Sequence, residues 1–252
     1  YPHAVLNQAQ FSFDLSVADL YYTLYIGCTL ELLQEGIPAS AGASRAELAI
    51  MTPSYADCCL LDECFAARAL PCLQTIFFCG EPLRGSTVRR LWQRFPGLRI
   101  INAYGPTEAT CAISSAEITP DLAAQEVLPI GRESGEAVDI TLSAENRICL
   151  QGTSVAAGYL NGACFEGRFL NGDLGHFEKE YLWYDGRCDD QIKYKGYRIE
   201  PVEIEAALTA QPNVQQAVVL PRYDRLGRVV ALRALVTTDG TTDEETMREA
   251  LR

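Results

Sequence analysis

The stretch from Leu73 to Ala103 constrains the fold most. Leu73-Gln-Thr-Ile-Phe-Phe78 reads as a buried strand. Ser86 opens a helix whose Val88, Leu91, Trp92 and Phe95 recur at the i, i+3, i+4, i+7 spacing of one apolar face, and Pro96-Gly97 stop it. Leu98-Arg-Ile-Ile-Asn-Ala103 is the next strand. A strand–helix–strand crossover makes the two strands parallel neighbours or nearly so, and the wider alternation of short apolar runs with amphipathic stretches predicts an α/β layered fold. Upstream, a helix is predicted over Ser54–Cys64, capped by Ser54 with Asp57 at the capping-box distance.

The texture changes twice. From about residue 128 the chain turns to short strands and many glycines, with Val138–Ser143, Arg147–Gln151 and Tyr181–Tyr184 as pieces of a smaller β-rich layer. Past Arg187, Asp190–Ile199 alternates around Gly196 like a hairpin, and Pro201 suits the first turn of a helix bearing Ile204, Ala207 and Leu208. Val214–Leu220 and Val229–Val236 read as strands, and Thr242 with Glu245 as the capping box of a last helix. The expected division is 1–127, 128–188 and 189–252, with a boundary near Asp189.

Composition removes several function classes. A net charge of −12 over 252 residues disfavours binding to a nucleic-acid backbone, and no apolar run approaches the roughly 20 residues of a membrane span, so no membrane insertion is expected. Ten cysteines sit mostly in apolar runs, without a CxxC pair or a secretory signal, and read as reduced thiols of a cytoplasmic protein. With only His3 and His176, a zinc site or a histidine-dependent hydrolase is disfavoured.

Three segments carry candidate chemistry. Asn102-Ala-Tyr-Gly-Pro-Thr-Glu-Ala-Thr110 follows a buried strand, where open α/β sheets place their ligands. Tyr104 beside Gly105 offers a stacking face, Thr107 a hydroxyl, and Glu108 a hard oxygen ligand suited to Mg²⁺. The plainer reading is a tight turn with a solvated Glu. Asp14 lies between Phe13 and Leu15, where a carboxylate calls for a cation; a substrate ammonium would serve, but so would a role for Asp14 or Ser16 as helix cap. Cys79 follows a strand, where a buried structural thiol is the plainer reading.

Taken together these segments resemble the adenylate-forming superfamily of amino-acid adenylation domains and acyl-CoA synthetases. Phe78-Cys-Gly-Glu-Pro-Leu83, the loop around Tyr104–Glu108, Gly158-Tyr-Leu160, Asn171-Gly-Asp173, Gly186-Arg-Cys-Asp189 and Gln191–Glu200 match its motifs in order. The resemblance implies ATP and Mg as cofactors and the superfamily's α/β large domain, small β-rich layer and mobile carboxyl-terminal subdomain. It implies that Gly80, Glu81, Pro82, Asn102, Ala103, Tyr104, Gly105 and Thr107 surround the adenine, and that Asp173 and Arg187 hold the ribose. Glu108 would hold the metal and act with Thr107 in catalysis. Asp189 would be a hinge, and Gly196 would let a phosphopantetheine arm pass. Within the superfamily, Phe11-Ser-Phe-Asp-Leu-Ser-Val-Ala-Asp-Leu20 and a Cys before Gly-Glu look most like the D-alanine–carrier-protein ligases of lipoteichoic acid D-alanylation. That implies D-alanine bound by Asp14, Cys79 and Ile130, and a phosphopantetheinylated carrier protein as partner. An acidic carrier would have to avoid the net charge of −12, so it is expected to dock near Arg198, Arg222, Arg225 or Arg228.

The pattern also departs from the superfamily. Its phosphate loop is not found here, and Lys179, Lys193 and Lys195 lie outside its Pro-x-Gly-Lys context. Asn171 stands where Thr is usual. The chain is therefore expected to be a fragment of a longer enzyme. Two alternatives stay open: a nonribosomal-peptide adenylation domain for another small amino acid, or an inactive remnant that binds nucleotide or carrier protein.

Overall fold

Seven strands build the sheet that the crossover pattern demands. The structure, a computed structural model, describes residues 2–32, 44–133, 135, 137–160, 162, 164–194, 197–224 and 229–238. β1 (Ala4–Asn7) leads to α1 (Leu15–Ile26) and β2 (Thr29–Leu32). β3 (Leu48–Met51), α2 (Pro53–Cys59), β4 (Thr75–Phe78), α3 (Gly85–Arg94) and β5 (Arg99–Tyr104) continue the alternation. β6 (Ser114–Glu117), a short α4 (Pro120–Ala123) and β7 (Arg132–Glu133) follow. The strand order is β2-β1-β3-β4-β5-β6-β7; the first five strands are parallel and the last two antiparallel. Ile76 pairs with Ile100 and Phe78 with Asn102, so the two crossover strands are indeed parallel neighbours.

One face of this sheet is buried under α2 and α3, and the other is covered only in part by α1, where Phe77 and Ile101 stay half-buried. Ile76, Phe78 and Ile100 pack with Ala56, Cys59, Val88, Leu91 and Phe95 around α2 and α3. Phe78 is fully buried there, and its truncation to Ala would cost about 3–5 kcal/mol. Phe77 and Ala103 face the opposite way, toward Leu15, Ala18 and Tyr22 of α1.

The α2 region departs from expectation. The helix ends at Cys59, and its cap is Thr52, whose hydroxyl accepts from the Tyr55 N–H, with Pro53 in the first turn. Ser54 is committed elsewhere, donating to the Glu81 carboxylate. Beyond Cys59 the chain makes turns whose carbonyls take side-chain donors: Leu60 from Arg90, and Asp62 and Glu63 from Arg94. Side chains on α3 thus replace the helical hydrogen bonds that a longer α2 would have made.

A second, four-stranded antiparallel sheet has the order β11-β10-β9-β8, formed by β8 (Asp139–Leu142), β9 (Arg147–Gln151), β10 (Arg168–Glu178) and β11 (Tyr181–Arg187). It starts after β7, so the change of texture at residue 128 precedes the end of the large sheet. Leu128-Pro-Ile-Gly131 ties the two sheets together. The Ser114 hydroxyl donates to the Ile130 carbonyl, and Ile130 N–H donates to the Leu182 carbonyl. Gly131 has φ +104°, and a Cβ there would meet the Ser115 backbone at 2.1 Å, so only glycine fits.

The chain divides into two compact units, 1–188 and 189–252. In the second, β12 (Ile192–Tyr194) pairs with β13 (Tyr197–Ile199), α5 (Pro201–Thr209) follows, and β14 (Val214–Tyr223) pairs with β15 (Val229–Thr238). The Val219 N–H donates to the Glu205 carboxylate at 2.8 Å, which fastens α5 to β14. Gly196, Arg225, Arg228 and the expected last helix at Thr242–Glu245 lie outside the described residues, as does the side chain of Arg198. No disulfide joins the ten cysteines, and no helix among the described residues is long and apolar enough to cross a membrane.

Candidate functional site

The candidate residues gather at the carboxyl ends of the parallel strands, because every loop that leaves those ends opens on the same edge of the sheet. Asp14 follows β1, Ser54 follows β3, Cys79–Pro82 follow β4, and Gly105–Glu108 follow β5. The β4–β5 register sets the Cys79–Pro82 turn beside Ala103–Gly105.

The loop after β5 is tightly folded back. Thr110 and Cys111 both have positive φ, and a Cβ on Gly105 would lie 2.7 Å from the Cys111 carbonyl carbon. Two consecutive non-glycine residues in the left-handed region store strain that the surrounding contacts must hold. One such contact is the Cys79 thiol, which donates to the Cys111 carbonyl at 2.9 Å. Burial first, then the negative charges of Asp14 and Asp19, push the Cys111 thiol up to about 11, so it stays protonated near neutral pH.

Asp14 occupies the cap position of α1 without capping it; no hydrogen bond runs from its side chain to the helix. Its carboxylate instead accepts from the Thr107 hydroxyl at 2.5 Å, across 93 residues of sequence. Ser16 does not cap either, since its hydroxyl donates to the Phe13 carbonyl. Next to Thr107, Glu108 is buried and its carboxylate accepts from the Tyr159 hydroxyl at 2.5 Å, while the Glu108 carbonyl accepts from the Ala156 N–H. Tyr159 belongs to the Gly158-Tyr-Leu160 segment, to which sequence reasoning attached no individual role. Its ring packs edge-on against Phe165 at 5.0 Å.

A third carboxylate lies toward β10 and β11. Asp173 on β10 faces Arg187 on β11 in register, and Arg187 donates to its Oδ1 at 2.6 Å. The Tyr104 hydroxyl donates to Oδ2 at 2.6 Å. Burial, with the Asp173 charge next, holds the Tyr104 phenol far above its ordinary value, so it remains a donor. The Tyr104 ring is only 8% exposed, packed with Ala109, Ile113 and Ile130, and offers a base a narrow face.

The structure thus brings Asp14 to Thr107, Cys79 to the same loop, and Tyr104 to Asp173 and Arg187. It does not bring Ile130 to Cys79. Ile130 packs with Tyr104, while Cys79 packs with Ala103, Val5 and Leu15. Successive strand residues point to opposite faces, so the two lie on opposite sides of β5. Asn102 is buried and donates to the Pro129 carbonyl. Gly80, with φ +91°, and Pro82 are exposed, and the Glu81 carboxylate accepts from the Ser54 N–H at 2.9 Å. Among the described residues no group of three or more His, Cys, Asp or Glu side chains forms an all-protein metal cage. A single buried carboxylate such as Glu108 does fit Mg²⁺, which keeps most of its waters and binds through one or two carboxylates with substrate phosphates.

Comparison with known proteins agrees with this architecture. A family profile described as AMP-binding enzyme matches residues 2–160. A D-alanine–D-alanyl carrier protein ligase of Lactiplantibacillus plantarum is 39% identical over 92% of this chain and 51% of that protein. The corresponding ligase of Bacillus licheniformis is 40% identical over 86% of this chain and 49% of its own length. The chain thus spans about half the length of the curated relatives it matches. Among solved structures, the Vibrio cholerae adenylation domain AlmE in complex with glycyl-adenosine-5'-phosphate superposes with a TM-score of 0.86 at 25% identity, covering 99% of this chain and 53% of that one. Because the matched stretch takes in Asp14, the turn at Cys79–Pro82, the whole loop after β5 and Tyr159, this chain belongs to the family of AMP-binding enzymes.

Proposed function

We propose that the chain is part of a ligase that adenylates D-alanine with Mg·ATP and transfers the alanyl group to the phosphopantetheine thiol of a carrier protein. Lipoteichoic acid D-alanylation is the setting that the resemblance implies. The observation that carries the reading is the loop after β5, which joins three carboxylates to one short segment. Thr107 holds Asp14, Glu108 is the next residue, and Tyr104 holds Asp173. Named relatives at about 39% identity support the choice of D-alanine.

In this reading Asp14 receives the substrate ammonium by a charge-assisted hydrogen bond and exchanges its Thr107 contact for it. The freed Thr107 hydroxyl is then available to phosphate oxygens. Glu108, which accepts from the Tyr159 hydroxyl, would hold the metal that accompanies ATP, and that metal would supply charge neutralisation at the phosphates. The D-alanine carboxylate attacks the α-phosphate and pyrophosphate leaves; the phosphopantetheine thiol, giving up its proton, then attacks the alanyl carbonyl and AMP leaves. Asp173 and Arg187 hold the ribose, and Tyr104 with Cys79–Glu81 flanks the base. The chemistry is positioning and charge neutralisation, since no side chain becomes covalently attached. Asp189, the first residue of the second unit, is the proposed hinge between adenylation and transfer.

The deciding experiment is ATP–pyrophosphate exchange by the full-length polypeptide with D-alanine, L-alanine, glycine and D-serine. D-alanine should give the highest kcat/KM. A clear preference for another small amino acid would support the nonribosomal-peptide alternative, and no exchange with any of them would support the inactive remnant. Asp189→Pro should spare exchange and reduce carrier loading, because proline fixes the φ that a hinge must change. Equal loss of both steps would remove the hinge.

A further inference from the structure

We infer that Asn171 is a positioning residue that locks Asp173 and Tyr104 into one unit and so sets the preference for a ligand with ribose hydroxyls. The inference rests on the nucleotide reading of this site. Asn171 is 3% exposed, as is Asp173. Its amide donates to the Tyr104 hydroxyl at 2.6 Å and to Asp173 Oδ2 at 2.9 Å, and its Oδ1 accepts from the Asp173 N–H at 3.3 Å. Both amide protons and the carbonyl oxygen are therefore spent on the Tyr104–Asp173 pair.

The backbone is shaped for this. The β9–β10 register slips between Leu170 and Leu174, so residues 171–173 bulge from the β9 ladder while Asp173 stays paired with Arg187 of β11; such bulges re-aim side chains near functional sites. Arg147 donates to the Asn171 carbonyl at 3.2 Å, and the Cys188 N–H to the Gly172 carbonyl at 2.9 Å, pinning the bulge from both sides. Asp173 Oδ2 takes Tyr104 and Asn171, and Oδ1 takes Arg187. Each carboxylate oxygen accepts about two donors, so Oδ1 is the oxygen with room for a hydroxyl. A threonine, with a single proton to give, could not donate to Tyr104 and Asp173 together as the Asn171 amide does. The amide at this position therefore fixes which oxygen of Asp173 meets the ligand.

The test compares the affinities of AMP and of an AMP analogue lacking both ribose hydroxyls, by calorimetry on the full-length polypeptide. Wild type, Asn171→Ala and Asn171→Thr are measured with Asp173→Ala as the reference. Losing one hydrogen bond to a charged group weakens binding by about tenfold or more. Asn171→Ala should lose that much affinity for AMP while keeping its affinity for the analogue, and Asn171→Thr should fall between. Should Asn171→Ala fail to fold, Asn171→Thr carries the same comparison. An unchanged ratio of the two affinities, or equal loss for both ligands, overturns the inference. An unchanged ratio in Asp173→Ala overturns the ribose reading beneath it, and that outcome is distinguishable because it appears in the reference variant.

Discussion

The two sides of β5 handle a buried carboxylate in opposite ways. On the β10–β11 side, Asp173 is surrounded by donors from Tyr104, Asn171 and Arg187. On the α1 side, Asp19 is fully buried; the Asn7 amide donates to its Oδ2, while its Oδ1 has no hydrogen-bond partner among the described residues. Burial raises Asp19 to about 6. A carboxylate ringed by donors is a preorganised acceptor, whereas a buried one with an oxygen left unpartnered is a pH-sensitive weak point in the core. Asp14, at the cap position of the same helix, stands at the loop edge against an exposed Thr107.

Four measurements break or sharpen this comparison. The largest effect is expected where the two sides meet, at Glu108. Glu108→Gln should lower pyrophosphate exchange by roughly a hundred- to a thousandfold with circular dichroism unchanged, since it removes the charge that neutralises the phosphates. Near-normal exchange would take Glu108 out of the metal role.

Cys79→Ala probes the α1 side. If the thiol bounds the amino-acid pocket, the D-over-L-alanine ratio of kcat/KM should fall by roughly ten- to two-hundredfold as the extra volume admits the other methyl. A variant that only melts earlier, with its ratio intact, would make Cys79 an ordinary packing residue tied to the Cys111 carbonyl.

Asp14→Asn and Tyr104→Phe should separate the two sides kinetically. The first should raise KM for D-alanine about tenfold and leave KM for ATP unchanged; the second should do the reverse, since it strips one donor from Asp173. If both variants shift both constants alike, the division of labour across β5 is wrong.

The smallest effect belongs to Asp19. Its pKa is raised on folding, from 3.8 to about 6, so its contribution to stability is complete below pH 4 and is lost as the pH climbs through 6. Asp19→Asn should flatten that part of the stability curve and raise the melting temperature near neutral pH by about a few degrees, with exchange activity unchanged. An identical pH dependence in the variant would show that Asp19 does not titrate in this range.

Much of the fold was legible because hydrophobic periodicity is a local signal. The β4–α3–β5 crossover could be read from Leu73–Ala103 since each element had to bury one stripe or two faces. The boundaries of α2 could not. Whether Ser54 or Thr52 caps depends on Glu81, which lies 27 residues away, and the helix stops early because Arg90 and Arg94 supply the donors beyond it.

The sequence by itself determined which residue types stand at the carboxyl ends of the strands: a carboxylate at 14, a thiol at 79, and Tyr, Thr and Glu at 104, 107 and 108. The turn chemistry of Gly105-Pro106 is a short-range property and could be read directly after its strand, whereas Asp14 and Cys79 gained their candidate roles from the resemblance to the adenylate-forming superfamily. Only the tertiary structure decided what each one touches. Asp14 could as well have capped its helix until Thr107 was placed against it, and Ile130 could as well have met Cys79 until the alternation along β5 set them on opposite faces. Tyr159 and Asn171 drew no individual role from the sequence. Tyr159 meets Glu108 across 51 residues of chain and Asn171 meets Asp173 across two, through hydrogen bonds that leave no periodic trace in the sequence.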